Sequence, residues 1–317
     1  MKLLSKKNNK FRIAEGNLLV IVIVLMVILS FATKNFFTVN NLRNLVRQTS
    51  VNGIIALGMT FVIISGGIDL SVGSVVGVSS IVVAKLLVAG IGIFPAILIA
   101  LLVCILLGTL NGLIIHYGKV PPFIATLGMM QAARGIVMLL SNARMIAGLP
   151  KSFTGFAQLV FLGFPSLFFV WFLVILVTFV VTTKTIFGRN IFAYGSNIEA
   201  ARLSGINTAK VTVSVYAMSG LLSGIAGILM TSRLGNGIPT AGQGYEMDAI
   251  ASAVVGGASL SGGSGTIIGT VLGALLISLI QNGGNLLGIN AFILQIIVGV
   301  LIVASVWYDQ IRKTTKN

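Results

Sequence analysis

A chain of 317 residues that is 56% hydrophobic and 9% charged lies outside the soluble class, in which about a quarter of residues carry charge. The formal net charge of +15 comes from basic residues standing in ones and twos between apolar runs, without interleaved aromatics. It therefore marks membrane topology, and a nucleic-acid partner is excluded.

Spans of about 20 apolar residues are expected near 17–33, 44–64, 70–88, 93–116, 122–140, 164–182, 211–232, 245–260, 265–281 and 290–308. Lys2, Lys6, Lys7, Lys10 and Arg12 precede the first, which reads as an uncleaved span because a small-x-small cleavage pattern is poor. Ten crossings return both ends to one side. With the N-terminus inside, thirteen basic residues lie on the inner side and seven outside, supporting two cytoplasmic termini, although Lys34, Arg43 and Arg47 oppose the bias. Arg134 is left within the fifth span. The eighth is the weakest, with Glu246 and Asp248 at its start and glycines after Val255, and a re-entrant segment is its alternative. The expected fold is an all-α polytopic membrane protein of about ten transmembrane helices, with a candidate internal repeat and short re-entrant or broken helices. It forms one domain over 1–317, in which 1–16, 184–210 and 309–317 are cytoplasmic.

The repeat candidate is Gly66-Gly67-Ile68-Asp69-Leu70-Ser71-Val72-Gly73-Ser74, echoed 190 residues later by Gly256-Gly257-Ala258-Ser259-Leu260-Ser261-Gly262-Gly263-Ser264 at six of nine positions. Each copy joins two apolar segments, as broken helices at transporter binding sites do, though coincidence is a fair alternative in a chain with 38 glycines. Asp69 carries two readings: an N-cap of the third span, or an ionisable group on a solute path. Asn52, Ser71, Ser261, Asn282 and Asn285 join it as pathway candidates, against the alternative of helix-to-helix hydrogen bonding. Glycines four apart, at 73 and 77, 220 and 224, and 265, 269 and 273, read mainly as intramolecular packing stripes.

Between the sixth and seventh spans lies a polar island, Lys184 to Lys210, suited to docking a soluble partner. Ser196 or Asn197 can cap a helix of about two turns, Glu199 sits in its first turn, and Gly205 ends it. On the outer side Arg144, Lys151, Glu246 and Asp248 are candidates for a vestibule or for docking a binding protein. Enzyme chemistry finds no support. Gly262-Gly263-Ser264-Gly265 resembles a serine-nucleophile motif, but the single histidine, His116, is expected at the inner end of the fourth span. No phosphate-binding G-x-x-x-x-G-K-[ST] loop exists, and one histidine with one cysteine makes no zinc set.

Glu199-Ala200-Ala201, with Arg202 following and Gly205 six positions after the glutamate, resembles the E-A-A-x-x-x-G loop of ABC-importer permeases, although the I-x-L-P element of its fuller form is missing. Asn35 to Leu42, Gln48 to Asn52, Gly66 to Ser74, Phe123 to Leu127, Arg202 to Asn207, Pro239 to Ala251 and Asn282 to Gly288 are similar to the monosaccharide branch, most of all to ribose permeases. The resemblance covers nearly the whole chain. It implies a permease homodimer in the bacterial cytoplasmic membrane, an ATPase subunit carrying ATP and Mg at the island, and a periplasmic or lipid-anchored sugar-binding protein on the other face. This chain itself would need no cofactor or metal. The rival from another class is an ion-coupled secondary transporter using Asp69, Glu246 or Asp248 as a proton site.

Overall fold

The computed structural model describes residues 2–314, with side chains over 15–307 and at 310 and 311. The basic side chains from Lys2 to Arg12, and those of Arg312, Lys313 and Lys316, lie outside the described residues. In chain order the helices are α1 (Lys2–Ala32), α2 (Val39–Ile64), α3 (Val72–Val88), α4 (Ile93–Tyr117) and α5 (Pro122–Ser141). A short α6 (Lys151–Phe156) and an antiparallel hairpin of β1 (Val160–Phe161) and β2 (Phe164–Pro165) follow, pairing Phe161 with Phe164. Then come α7 (Ser166–Lys184), α8 (Ile186–Ser196), α9 (Ile198–Leu203), α10 (Thr208–Leu234), α11 (Tyr245–Val255), α12 (Ile267–Leu286) and α13 (Ala291–Thr314).

Every expected span coincides with a helix. Among the described residues seven are long and apolar enough to cross a membrane, while α3 and Ala291–Trp307 of α13 are shorter apolar helices. The eighth span is corrected: α11 has 11 residues, a rise of about 16 Å against a hydrocarbon core of about 30 Å. The stretch before it supplies the remainder. Gly237 pairs with Ile146 and packs on Ala84 of α3, whereas Gly242 packs on Gly73 and Val76 near the start of α3. Residues 235–244 thus descend along α3, and α11 begins at depth instead of at the face.

Helix α2 is the axis of the bundle, buried from Thr49 to Ile64 and packed by α7, α10, α11 and α12. Its hydroxyls satisfy themselves on the preceding turn: Thr49 donates to the Leu45 carbonyl (2.8 Å), Ser50 to Val46 (2.7 Å) and Thr60 to Ala56 (2.8 Å). That is how a buried helix keeps polar groups where no water reaches. By contrast α4 is apolar all round, yet buries only a stripe of Ala96, Ala100, Cys104, Leu107, Gly108, Asn111 and Gly112. This stripe meets Gly220 and Gly224 of α10 so closely that any added side chain collides with backbone or with Cys104. Gly73 and Gly77 likewise meet the descending segment, and Gly269 and Gly273 meet α11, so all three glycine stripes pack within the chain. Leu98, Leu102, Leu106, Phe172, Val300, Val303 and Trp307 point outward as a lipid-facing belt.

Candidate functional site

The island folds into two helices where one was expected. Thr185 caps α8 by accepting from the Gly188 amide (3.1 Å). Ile191 is buried, and Phe187, Phe192 and Tyr194 pack beside it on the cluster of Phe61, Ile64, Val211 and Val215. The alternation of those apolar residues with Arg189, Asn190 and Gly195 was the signal for α8. Asn197 caps α9, its side-chain Oδ1 accepting from the Ala200 amide (2.9 Å), while the Ser196 hydroxyl instead donates back to the Phe192 carbonyl (2.8 Å). Ala201 is buried beneath α9, Glu199 pairs with Arg202 at 3.0 Å, and Gly205 ends the turn at φ +80°. With both side chains about two-thirds exposed, that ion pair adds little to stability. The outward surface is Ile198, Glu199, Arg202 and Leu203, the last 84% exposed.

Directly behind this surface the two echoed loops meet. The Gly263 amide donates to the Ile64 carbonyl (2.8 Å), and Gly262 lies against Gly66 and the Gly195 carbonyl. Gly195, at the end of α8, sits so near the Ile64 carbonyl and the Gly263 nitrogen that a methyl group has no room. The ends of α2, α8 and the α11–α12 loop form one three-way backbone junction. Ser261 belongs to that loop.

Deeper in, Asp69 is 2% exposed. One carboxylate oxygen accepts from the Ser71 amide (3.0 Å) and hydroxyl (2.6 Å), and the other accepts from Ser219 (2.8 Å). Asn111 donates to Ser71 (3.0 Å). Ser71, not Asp69, is the N-cap residue of α3 and makes no side-chain cap bond, so the capping reading of Asp69 is replaced by a turn upstream of the helix. Ser219 lies eleven residues into α10, about 16 Å along it.

The other candidates are dispersed. Asn52 is 3% exposed, and its amide has no partner among the described residues. Asn282 forms a reciprocal amide pair with Asn41 (3.1 and 2.8 Å), clamping α12 to α2. Asn285 is exposed on α12. Arg144 and Lys151 lie exposed before and at the start of α6, while the descent of 235–244 carries Glu246 and Asp248 inward, so the expected four-residue vestibule is split. The Glu246 carboxylate lies against Gly73 in the first turn of α3, where the helix dipole favours an anion. Asp248 instead accepts from Gln281 (2.8 Å).

Arg134 had no assigned role. Its guanidinium donates to the carbonyls of Pro239 (2.8 Å), Ala241 (3.1 Å) and Gly73 (3.3 Å). It thereby satisfies the non-helical backbone that descends beside α3, which has no ladder of its own. The signal was a lone charge in mid-span.

The family described as branched-chain amino acid transport system / permease component matches residues 41–306. Ribose import permease protein RbsC of Bacillus subtilis (strain 168) is 43% identical, with 90% of each chain covered. The protein of the same name from Escherichia coli (strain K12) is 41% identical over 93% of each. Galactose/methyl galactoside import permease protein MglC of Escherichia coli (strain K12) is 38% identical over 100% of each. No solved structure matches the chain.

Proposed function

The chain belongs to the branched-chain amino acid transport system / permease component family, and we propose that it is the membrane subunit of an ATP-driven importer of ribose. The observation that carries this reading is identity of 41–43% to ribose import permeases along 90–93% of the chain. The galactose relative at 38% marks a competing sugar. In this reading the chain hydrolyses nothing itself. A separate ATPase subunit, holding ATP and Mg, seats on α8 and α9 from the cytoplasm. A sugar-binding protein docks on the opposite face near Arg144 and Lys151, and two copies of the chain form the permease in the bacterial membrane.

The exposed Leu203 and Ile198 flanking the Glu199–Arg202 pair support a partner at the island, because apolar side chains there have no lipid to enter. Nothing in the fold or among the relatives favours the ion-coupled rival. The test is reconstitution in proteoliposomes with the ATPase and binding protein, using labelled ribose, galactose and allose. ATP-dependent uptake of ribose ahead of the other two, insensitive to collapse of the proton gradient, is expected. Uptake without ATP overturns the importer, and galactose uptake in preference to ribose overturns the substrate.

A further inference from the structure

Away from the island, α2, α12, α13 and the start of α11 line a half-open cavity of about 520 Å³, within the range of roughly 300–1,000 Å³ that small-molecule sites occupy. Its polar wall is Gln48, Gln243, Asp248, Gln281, Asn285 and Gln295. Gln281 lies fourteen residues from the island end of α12, and Gln48 sixteen from that of α2, a depth of about 21–24 Å. The cavity is therefore in the far half of the bundle.

These groups are organised in part. Gln48 donates to the Gln281 carbonyl (2.8 Å), and Gln281 donates to Asp248 (2.8 Å), a one-way chain of amides ending on a carboxylate. Each member still has unused donors or acceptors. Gln243, Asn285 and Gln295 are exposed and make no side-chain hydrogen bond among the described residues. Gln295 stands between the outward-facing Phe292, Ile293, Ile296 and Ile297, a setting in which an amide is unfavourable unless it meets water or a polar ligand.

We propose that this cavity is a transit site for one neutral sugar, the position it takes at membrane depth after entering from the far face. The inference rests on the sugar-import reading above and names a site within it. Amides both donate and accept, as sugar hydroxyls do, so the wall can follow a polyol whichever way its hydroxyls turn. Among the described residues no lysine or arginine lines the cavity, and Asp248 repels anions, so the site disfavours phosphorylated sugars. Beside Gln295 on α13, Leu294, Val298 and Ile302 offer the apolar surface that a sugar's C–H face requires.

Gly299 supplies the test. It lines the cavity, and a β-carbon built there meets no atom within 4 Å. Gly299→Leu should therefore obstruct the space without disturbing the helix. Gln295→Leu and Asn285→Leu remove amides at exposed positions, where leucine suits the membrane. The complete importer is reconstituted with its ATPase and binding protein, and both labelled uptake and sugar-stimulated ATP hydrolysis are measured. Uptake should fall roughly tenfold in Gly299→Leu, the effect of weakening passage by about 1.4 kcal/mol, with ATP hydrolysis retained. Asn285→Leu and Gln295→Leu should alter the ratio of ribose to deoxyribose uptake. Wild-type uptake and ratio in all three variants overturn the transit site while leaving the import reading intact. Loss of ATP hydrolysis in parallel with uptake also overturns it, since the residues would then be holding the fold. A wild-type protein that carries no sugar in the panel overturns both.

Discussion

Asp69 shows why a residue type does not disclose its role. The carboxylate receives three donors from Ser71 and Ser219, enough to hold a buried acceptor without a counter-ion. The capping reading assumed a group at a helix end, whereas loop 65–71 carries it inward to Ser219. Asp69→Asn should be tolerated, because its oxygen can keep both Ser71 donors while the new amide donates to a turned Ser219 hydroxyl. Asp69→Leu strands all three and should lower stability by about 3 kcal/mol or more, at roughly 1–3 kcal/mol per unsatisfied buried group. Thermal unfolding in detergent reads the difference. The Asp69→Asn importer should also remain ATP-driven and indifferent to a proton gradient. Gradient-sensitive wild-type uptake that disappears in this variant would revive ion coupling.

At the scale of elements, helices were legible because their cause is local: apolar length, Thr38 and Thr266 as N-caps, and Pro122 at the first position of α5. What the sequence hid is long-range. Residues 235–244 carry little apolar signal and no regular structure, yet Arg134, about a hundred positions earlier, holds them at depth. The meeting of the echoed loops with α8 is equally invisible, since its contacts are backbone to backbone among glycines. Only the island motif, whose cap and terminating glycine lie within nine residues, could be read nearly whole. The junction makes a sharp prediction. Gly195→Ala places a methyl on the Ile64 carbonyl, so the ends of α2 and α8 must separate. Uptake should fall severalfold, while Gly128→Ala, at a site with open space, stays at wild type. Gly205→Val acts on the adjoining helix by a different cause, a β-branched residue forced to φ +80°. It should weaken co-purification of the ATPase without loss of membrane insertion, and sugar-stimulated hydrolysis at the wild-type rate would refute the docking role of α9.

For the whole molecule, the decisive question is whether a helix of 11 residues changes the parity of the chain. It does not, because the segment that contains it, residues 235–264, runs between opposite faces of the bundle. Residue 237, ahead of it, pairs with Ile146 in the loop after α5, while residues 262 and 263, behind it, touch Gly195 and Ile64 at the island face. An extended segment plus a half-helix thus completes one crossing. Its consequence is that α2 with α3 and α11 with α12 run in the same sense, each pair turning back at the island face through one copy of the glycine motif. The same parity puts the end of α13 on the island side. In a Cys104→Ala background, cysteines at Ser196 and Thr314 should react with an impermeant thiol reagent only from the cytoplasm, and one at Arg144 only from outside. If residues 235–264 instead dipped in and returned to the same face, Thr314 would label together with Arg144. That single reversal would also separate the two glycine loops onto opposite faces, which the Gly263-to-Ile64 hydrogen bond at 2.8 Å forbids.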